Sequence, residues 1–71
     1  MKCIVELRSG KVITIDNFLC IEYPKKTEGT NQYKLDNIGD LNLVDGVTYT
    51  IIGGNFAKVR GEDILFIHFK S

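Results

Sequence analysis

Apolar and polar residues alternate with a period of two along most of this chain, and no stretch sustains the 3.6-residue period of an amphipathic helix. Cys3, Val5 and Leu7 fall on one side of a strand, Ile4 and Glu6 on the other. Ser9-Gly10 interrupts the pattern. Lys11-Val12-Ile13-Thr14-Ile15 then follows, rich in the β-branched residues that suit a pleated surface. A two-residue loop would set Leu7 against Val12 but Val5 against Thr14, mixing the faces. A three-residue loop of Arg8, Ser9 and Gly10 sets Val5 against Ile13 and Cys3 against Ile15. It also puts glycine where a type I turn with a G1 bulge needs a positive φ. The pattern predicts the three-residue loop.

The same logic applies near the C-terminus. Val47, Tyr49 and Ile51 alternate with threonines, Ile52-Gly53-Gly54 turns, and Phe56, Ala57 and Val59 follow. A loop ending at Gly54 pairs Tyr49 with Ala57 and Val47 with Val59. Each hairpin is followed by a short break and a denser third strand. Asp16-Asn17 leads into Phe18-Leu19-Cys20-Ile21-Glu22-Tyr23, and Arg60-Gly61-Glu62-Asp63 leads into Ile64-Leu65-Phe66-Ile67-His68-Phe69. Gly10 thereby aligns with Gly54, Val5 with Tyr49 and Leu7 with Ile51; two residues further offset, Leu19 aligns with Leu65 and Ile21 with Ile67. Internal duplication and the chance likeness of two meanders both account for this agreement.

Seventy-one residues make one domain, divided into a first hairpin-plus-strand unit (1–23), a connecting hairpin and loop (24–46) and a second hairpin-plus-strand unit (47–71). In the connection, Pro24 ends a strand, residues 25–31 read as an exposed turn, and Gln32-Tyr33-Lys34-Leu35 returns as a short strand against residues 20–25. The expected fold is all-β: a small antiparallel barrel or curled two-layer sheet of six to seven short strands, in two similar three-strand halves.

The two third strands are apolar on both sides. Leu19, Ile21, Tyr23, Leu65, Ile67 and Phe69 belong to the core; Phe18, Cys20, Glu22, Ile64, Phe66 and His68 then point outward, with Ile4, Val12 and Phe56. Such an outward set is covered either by the connecting segment, through Leu35, Ile38, Leu41, Leu43 and Val44, or by another chain. Phe18, Phe56, Ile64, Phe66 and His68 are the candidate protein-interaction residues. A domain this small buries only about 60% of its unfolded surface, which favours a partner.

Composition narrows the chemistry. Nine basic side chains balance nine acidic ones, whereas a nucleic-acid binder normally carries a positive excess. Glu6 stands where a signal peptide has its apolar stretch, and no apolar run approaches a membrane span, so a cytoplasmic protein is expected. Cys3 and Cys20 sit in apolar runs and read as small buried hydrophobes. His68 is the only histidine, with no nucleophile beside it; a pair with Glu22, its counterpart in the first half, is a surface pair before it is an acid–base pair. Residues 40–46 lack the glycine a calcium loop requires, and Gly53-Gly54 precedes a strand rather than the helix a phosphate cradle requires. No catalytic, cofactor or metal residue is assigned.

The length, the hairpin plan and phrases such as Leu7-Arg8-Ser9-Gly10-Lys11-Val12-Ile13 resemble short β-rich accessory proteins of phages and prophages of low-GC Gram-positive bacteria. Such proteins share no single activity. The favoured expectation is a non-enzymatic module that binds a host or phage protein through an apolar sheet face, or a homo-oligomer that uses the same face. The alternative is a nucleic-acid-binding small barrel that uses Tyr23, Lys25, Lys26, Tyr33 and Lys34 around one hairpin. A third is an oligomeric binder of a small ligand such as a nucleotide.

Overall fold

The computed structural model describes residues 1–25 and 29–71. Among the described residues, seven strands form two antiparallel sheets stacked as two layers and not closed into a barrel. They are β1 (Lys2–Leu7), β2 (Val12–Ile15), β3 (Cys20–Pro24), β4 (Thr30–Tyr33), β5 (Thr48–Ile52), β6 (Phe56–Arg60) and β7 (Ile64–Lys70). Two short 3-10 turns, Ile38–Asp40 and Gly61–Asp63, complete the order. No helix among the described residues is long and apolar enough to cross a membrane.

The first hairpin has the expected register, with Val5 opposite Ile13 and Cys3 opposite Ile15. Gly10 adopts φ +93, and its N–H donates to Leu7 O at 2.9 Å. The second hairpin is shifted by two residues. Tyr49 faces Val59 and Ile51 faces Ala57, and the loop is Gly53, Gly54 and Asn55. Contacts distant in sequence select this loop: Gly54 N–H donates to Asp16 O at 2.7 Å, while Gly53 N–H donates to Asn55 O at 2.8 Å. Neither Gly53 nor Gly54 takes a positive φ. A shift of two leaves every side chain on its expected face.

The halves exchange their third strands. β7 joins the β1–β2 hairpin to give the sheet β2-β1-β7, and β3 joins the β5–β6 hairpin to give β4-β3-β5-β6. Val5 lies between Ile13 and Ile67, and Ile51 lies between Ala57 and Ile21. The structural counterpart of Val5 is therefore Ile51, and not the Tyr49 that the sequence alignment pairs with it. The short hairpin through β4 also forms, with Ile21 opposite Tyr33 and Pro24 opposite Thr30.

The core lies between the layers. Cys3, Val5, Ile15, Phe18, Ile21, Tyr49, Ile51, Val59 and Ile64 form it, and Ile38 and Leu41 of the connecting segment pack against it. Four residues of the third strands depart from the expected faces. Phe18 and Ile64 are buried, whereas Leu19 and Leu65 are exposed. Strand alternation does not reach back to Phe18, because the chain bends at Asn17 (φ 52) and β3 begins only at Cys20. In β7 a bulge opposite Glu6 and Leu7 inserts Leu65 as an extra residue. Leu7 then pairs with Ile64, which turns that side chain inward and leaves Leu65 outside.

Candidate functional site

Of the five candidate interaction residues, Phe18 and Ile64 belong to the core. The other three divide between the two sheets: Phe66 and His68 lie on β7 and Phe56 lies on β6. No single face unites them.

The outer face of β2-β1-β7 carries two cross-strand rows, Val12–Glu6–Phe66 and Thr14–Ile4–His68. Val12 and Phe66 are exposed, at 56% and 46%, and Ile4, in the neighbouring row, is half-buried. Phe66 and His68, two positions apart on one face, have ring centroids 5.3 Å apart. His68 meets Glu6 instead of Glu22: its Nε2 stands 3.5 Å from Glu6 Oε2 and makes no hydrogen bond. Glu22 lies on the other sheet, where its Oε1 accepts from Gln32 Nε2 at 2.6 Å. On that sheet's outer face, Cys20, Ile52 and Phe56 form a row in which Phe56 is 68% exposed.

Tyr23, Lys25 and Tyr33, from the nucleic-acid candidates, do come together. They line a cleft of about 520 Å³ with Pro24, Asn31, Asn42, Val44, Val47 and Tyr49. Tyr23 and Tyr33 stack, with centroids 5.7 Å apart and planes at 11°, and their hydroxyls are 3.3 Å apart. That hydroxyl contact, with some burial, raises the pKa of Tyr33. Buried Tyr49 forms the floor and holds the far rim, its Oη accepting from Val44 N–H at 2.9 Å and donating to Asn42 O at 3.1 Å. Lys34 lies outside the lining, and Lys26 lies outside the described residues.

Two recesses carry no signal in the alternation. One, of about 250 Å³, is lined by apolar side chains and lies between Ile38, Leu41 and Leu43 of the connecting segment and Ile67 and Phe69 of β7. The other, of about 430 Å³, gathers Lys11, Lys58 and Arg60 around Leu7 and Ile13, with Asp63 at its side. Only knowledge of which strands form the sheet margins would have brought these residues together. The cysteines are apart: Cys3 is in the core of one sheet and Cys20 on the second, and both are free. Burial pushes the Cys3 thiol up to about 11 and also raises that of Cys20.

No family model matches the chain, and comparison with curated proteins and with solved structures gives no match.

Proposed function

We propose that this chain is a small non-enzymatic module, encoded by a phage or prophage, that binds another protein through the outer face of the β2-β1-β7 sheet. The observation that carries this reading is the Val12–Glu6–Phe66 row, in which two exposed apolar side chains flank a carboxylate on an open sheet. Exposed apolar side chains, one of them aromatic, on an open sheet face are what a protein-binding patch offers. His68 supports recognition over catalysis, because it lies on a sheet face beside Glu6 and lines none of the three recesses.

The test is capture of partners from a low-GC Gram-positive lysate by wild type and by Phe66→Ser, followed by titration of the purified captured protein. Phe66 is exposed, so the variant keeps its fold while binding falls at least tenfold, the scale of an aromatic hot spot. Equal binding by wild type and the Phe66→Ser and Val12→Ser variants would overturn the reading. Phe56→Ser, on the other sheet, serves as the control.

A second reading, single-stranded nucleic-acid binding, is favoured by one observation: Tyr23, Lys25 and Tyr33 share a cleft. Stacking of a base on Tyr33 contributes about 1–3 kcal/mol, so Tyr33→Ala would weaken an oligonucleotide roughly tenfold or more. Absence of binding at low salt would remove it.

A further inference from the structure

Four strands form the margins of the two sheets, and three of them are blunted. The Asn55 side chain occupies the margin of β2, accepting from Asp16 N–H at 3.2 Å and donating to Thr14 O at 3.1 Å. β4 has four residues and begins opposite Pro24, and β6 carries Lys58 and Arg60. β7 has seven residues; its bulge is confined to Leu65, and the stretch from there to Phe69 has no proline and no formal charge apart from that of a protonated His68. Long apolar edges of this kind are templates for a further strand.

The orientation of the β7 backbone follows from its neighbours. Leu7 turns both N–H and C=O toward the β2 side, donating to Lys11 O and accepting from Gly10 N–H. By strict alternation, Ile4 and Glu6 turn toward β7 and bond there with His68 and Phe66. The backbone groups of Ile67 and Phe69 therefore point to the open margin, where no strand pairs among the described residues. The same margin carries an exposed apolar side chain, Leu65, at 52%, and an open apolar recess walled by Ile67 and Phe69.

We propose that β7 pairs antiparallel with β7 of a second copy of this chain, about a two-fold axis through Ile67. In that register Leu65 lies opposite the second copy's Phe69, so each copy covers the exposed Leu65 of the other at the shared edge. Phe66 lies opposite the second copy's His68, an aromatic cross-strand pair. Lys70 of each copy comes to the start of the other's β7, beside its Asp63, bringing opposite charges together. Every contact occurs twice, as an isologous interface requires. The pairing concerns the edge of the sheet and goes beyond the protein-binding face proposed above.

The test is light scattering on the full chain over a concentration series, with amide exchange read at Ile67 and Phe69. The expected species has twice the 8.0 kDa chain mass, with both amides protected. Leu65→Lys, at an exposed position, yields a folded monomer in which those amides exchange freely. Lys70→Glu weakens the dimer, and adding Asp63→Lys to the same chain restores it. A wild-type monomer up to the solubility limit overturns the proposal, as does a dimer that survives Leu65→Lys. Neither result bears on the open face, which is read from the loss of a different protein in Phe66→Ser.

Discussion

Phe18 stands edge-on to Phe69, with ring centroids 4.9 Å apart and planes at 68°. Phe18 belongs to the bend that leads into the β4-β3-β5-β6 sheet, and Phe69 to the end of β7 in the other sheet, so the pair joins the two layers. Backbone bonds fix the bend on both sides: Phe18 N–H donates to Met1 O at 2.9 Å and Leu19 N–H donates to Ile52 O at 2.8 Å. The ring cannot leave without opening a cavity. Phe18→Ala therefore costs about 3–5 kcal/mol in urea unfolding. Phe66→Ala, at an exposed position, stays within about 0.5 kcal/mol. Equal costs for the two would contradict this assignment of core and surface.

Asn55 does the work of a missing strand. Its amide group bonds to Asp16 N–H and Thr14 O, as the backbone of a neighbouring strand would. Asn55→Ala removes both bonds at an exposed site and costs about 1 kcal/mol. It also bares the margin of β2, so faster amide exchange at Asp16 is the local signature. Unchanged exchange there would show that the side chain does not protect the edge.

The two hairpins show which part of this fold can be read from sequence. The first was legible in register because Gly10 and the β-branched residues around it leave one arrangement that keeps the faces unmixed. The second was legible only in its faces, because Gly53-Gly54 permits two loops and the choice is made by Asp16, far away in the chain. Strand exchange between the halves, the bulge at Leu65 and the bend at Asn17 are products of tertiary packing and leave no mark on the alternation. They are why Phe18 and Ile64 moved into the core while Phe66 and His68 stayed out. Tyr23 and Tyr33 were brought together by a hairpin that the sequence does signal. Their cleft was not legible, since Tyr49 and Val44 form its floor and far wall from another part of the chain.

The thiols are a further consequence of burial. Cys3 is fully buried with its pKa near 11, and Cys20 is 8% exposed. At neutral pH neither supplies much thiolate, the reactive species. A thiol reagent should modify the native chain slowly and both cysteines at once in denaturant. Rapid single labelling of the native chain would show that the row around Cys20 opens.

Glu62 ties the Asp45-Gly46 turn to the end of β6. Its Oε1 accepts from Gly46 N–H at 2.9 Å and its Oε2 from Arg60 Nε at 3.1 Å. The backbone bond from Gly46, first, and the arginine hold its pKa below the ordinary glutamate range. Its folded value is thus lower than its unfolded value. The tether contributes fully above the unfolded value and is lost as pH falls through the folded one. An acid titration followed at the Gly46 amide should show its inflection below that of a free glutamate, and Glu62→Gln should abolish it. An inflection at the ordinary value would mean that the tether does not persist in solution.

Tyr49 connects the core to the rim of the tyrosine cleft. Its ring is 1% exposed, while its hydroxyl holds Val44 N–H and Asn42 O, residues of the segment that leads into β5. Tyr49→Phe keeps the ring and its packing but leaves an N–H and a C=O unpartnered, at a cost of about 1–3 kcal/mol. The loss is local. Exchange of the Val44 amide should rise, while the amides of Ile21 and Ile51 keep their protection relative to global unfolding. Any ligand of the cleft would weaken with it, because Asn42 and Val44 form one wall. Undiminished protection at Val44 would mean that the rim is held by its own turn, and the hydroxyl would then be incidental to the cleft's shape.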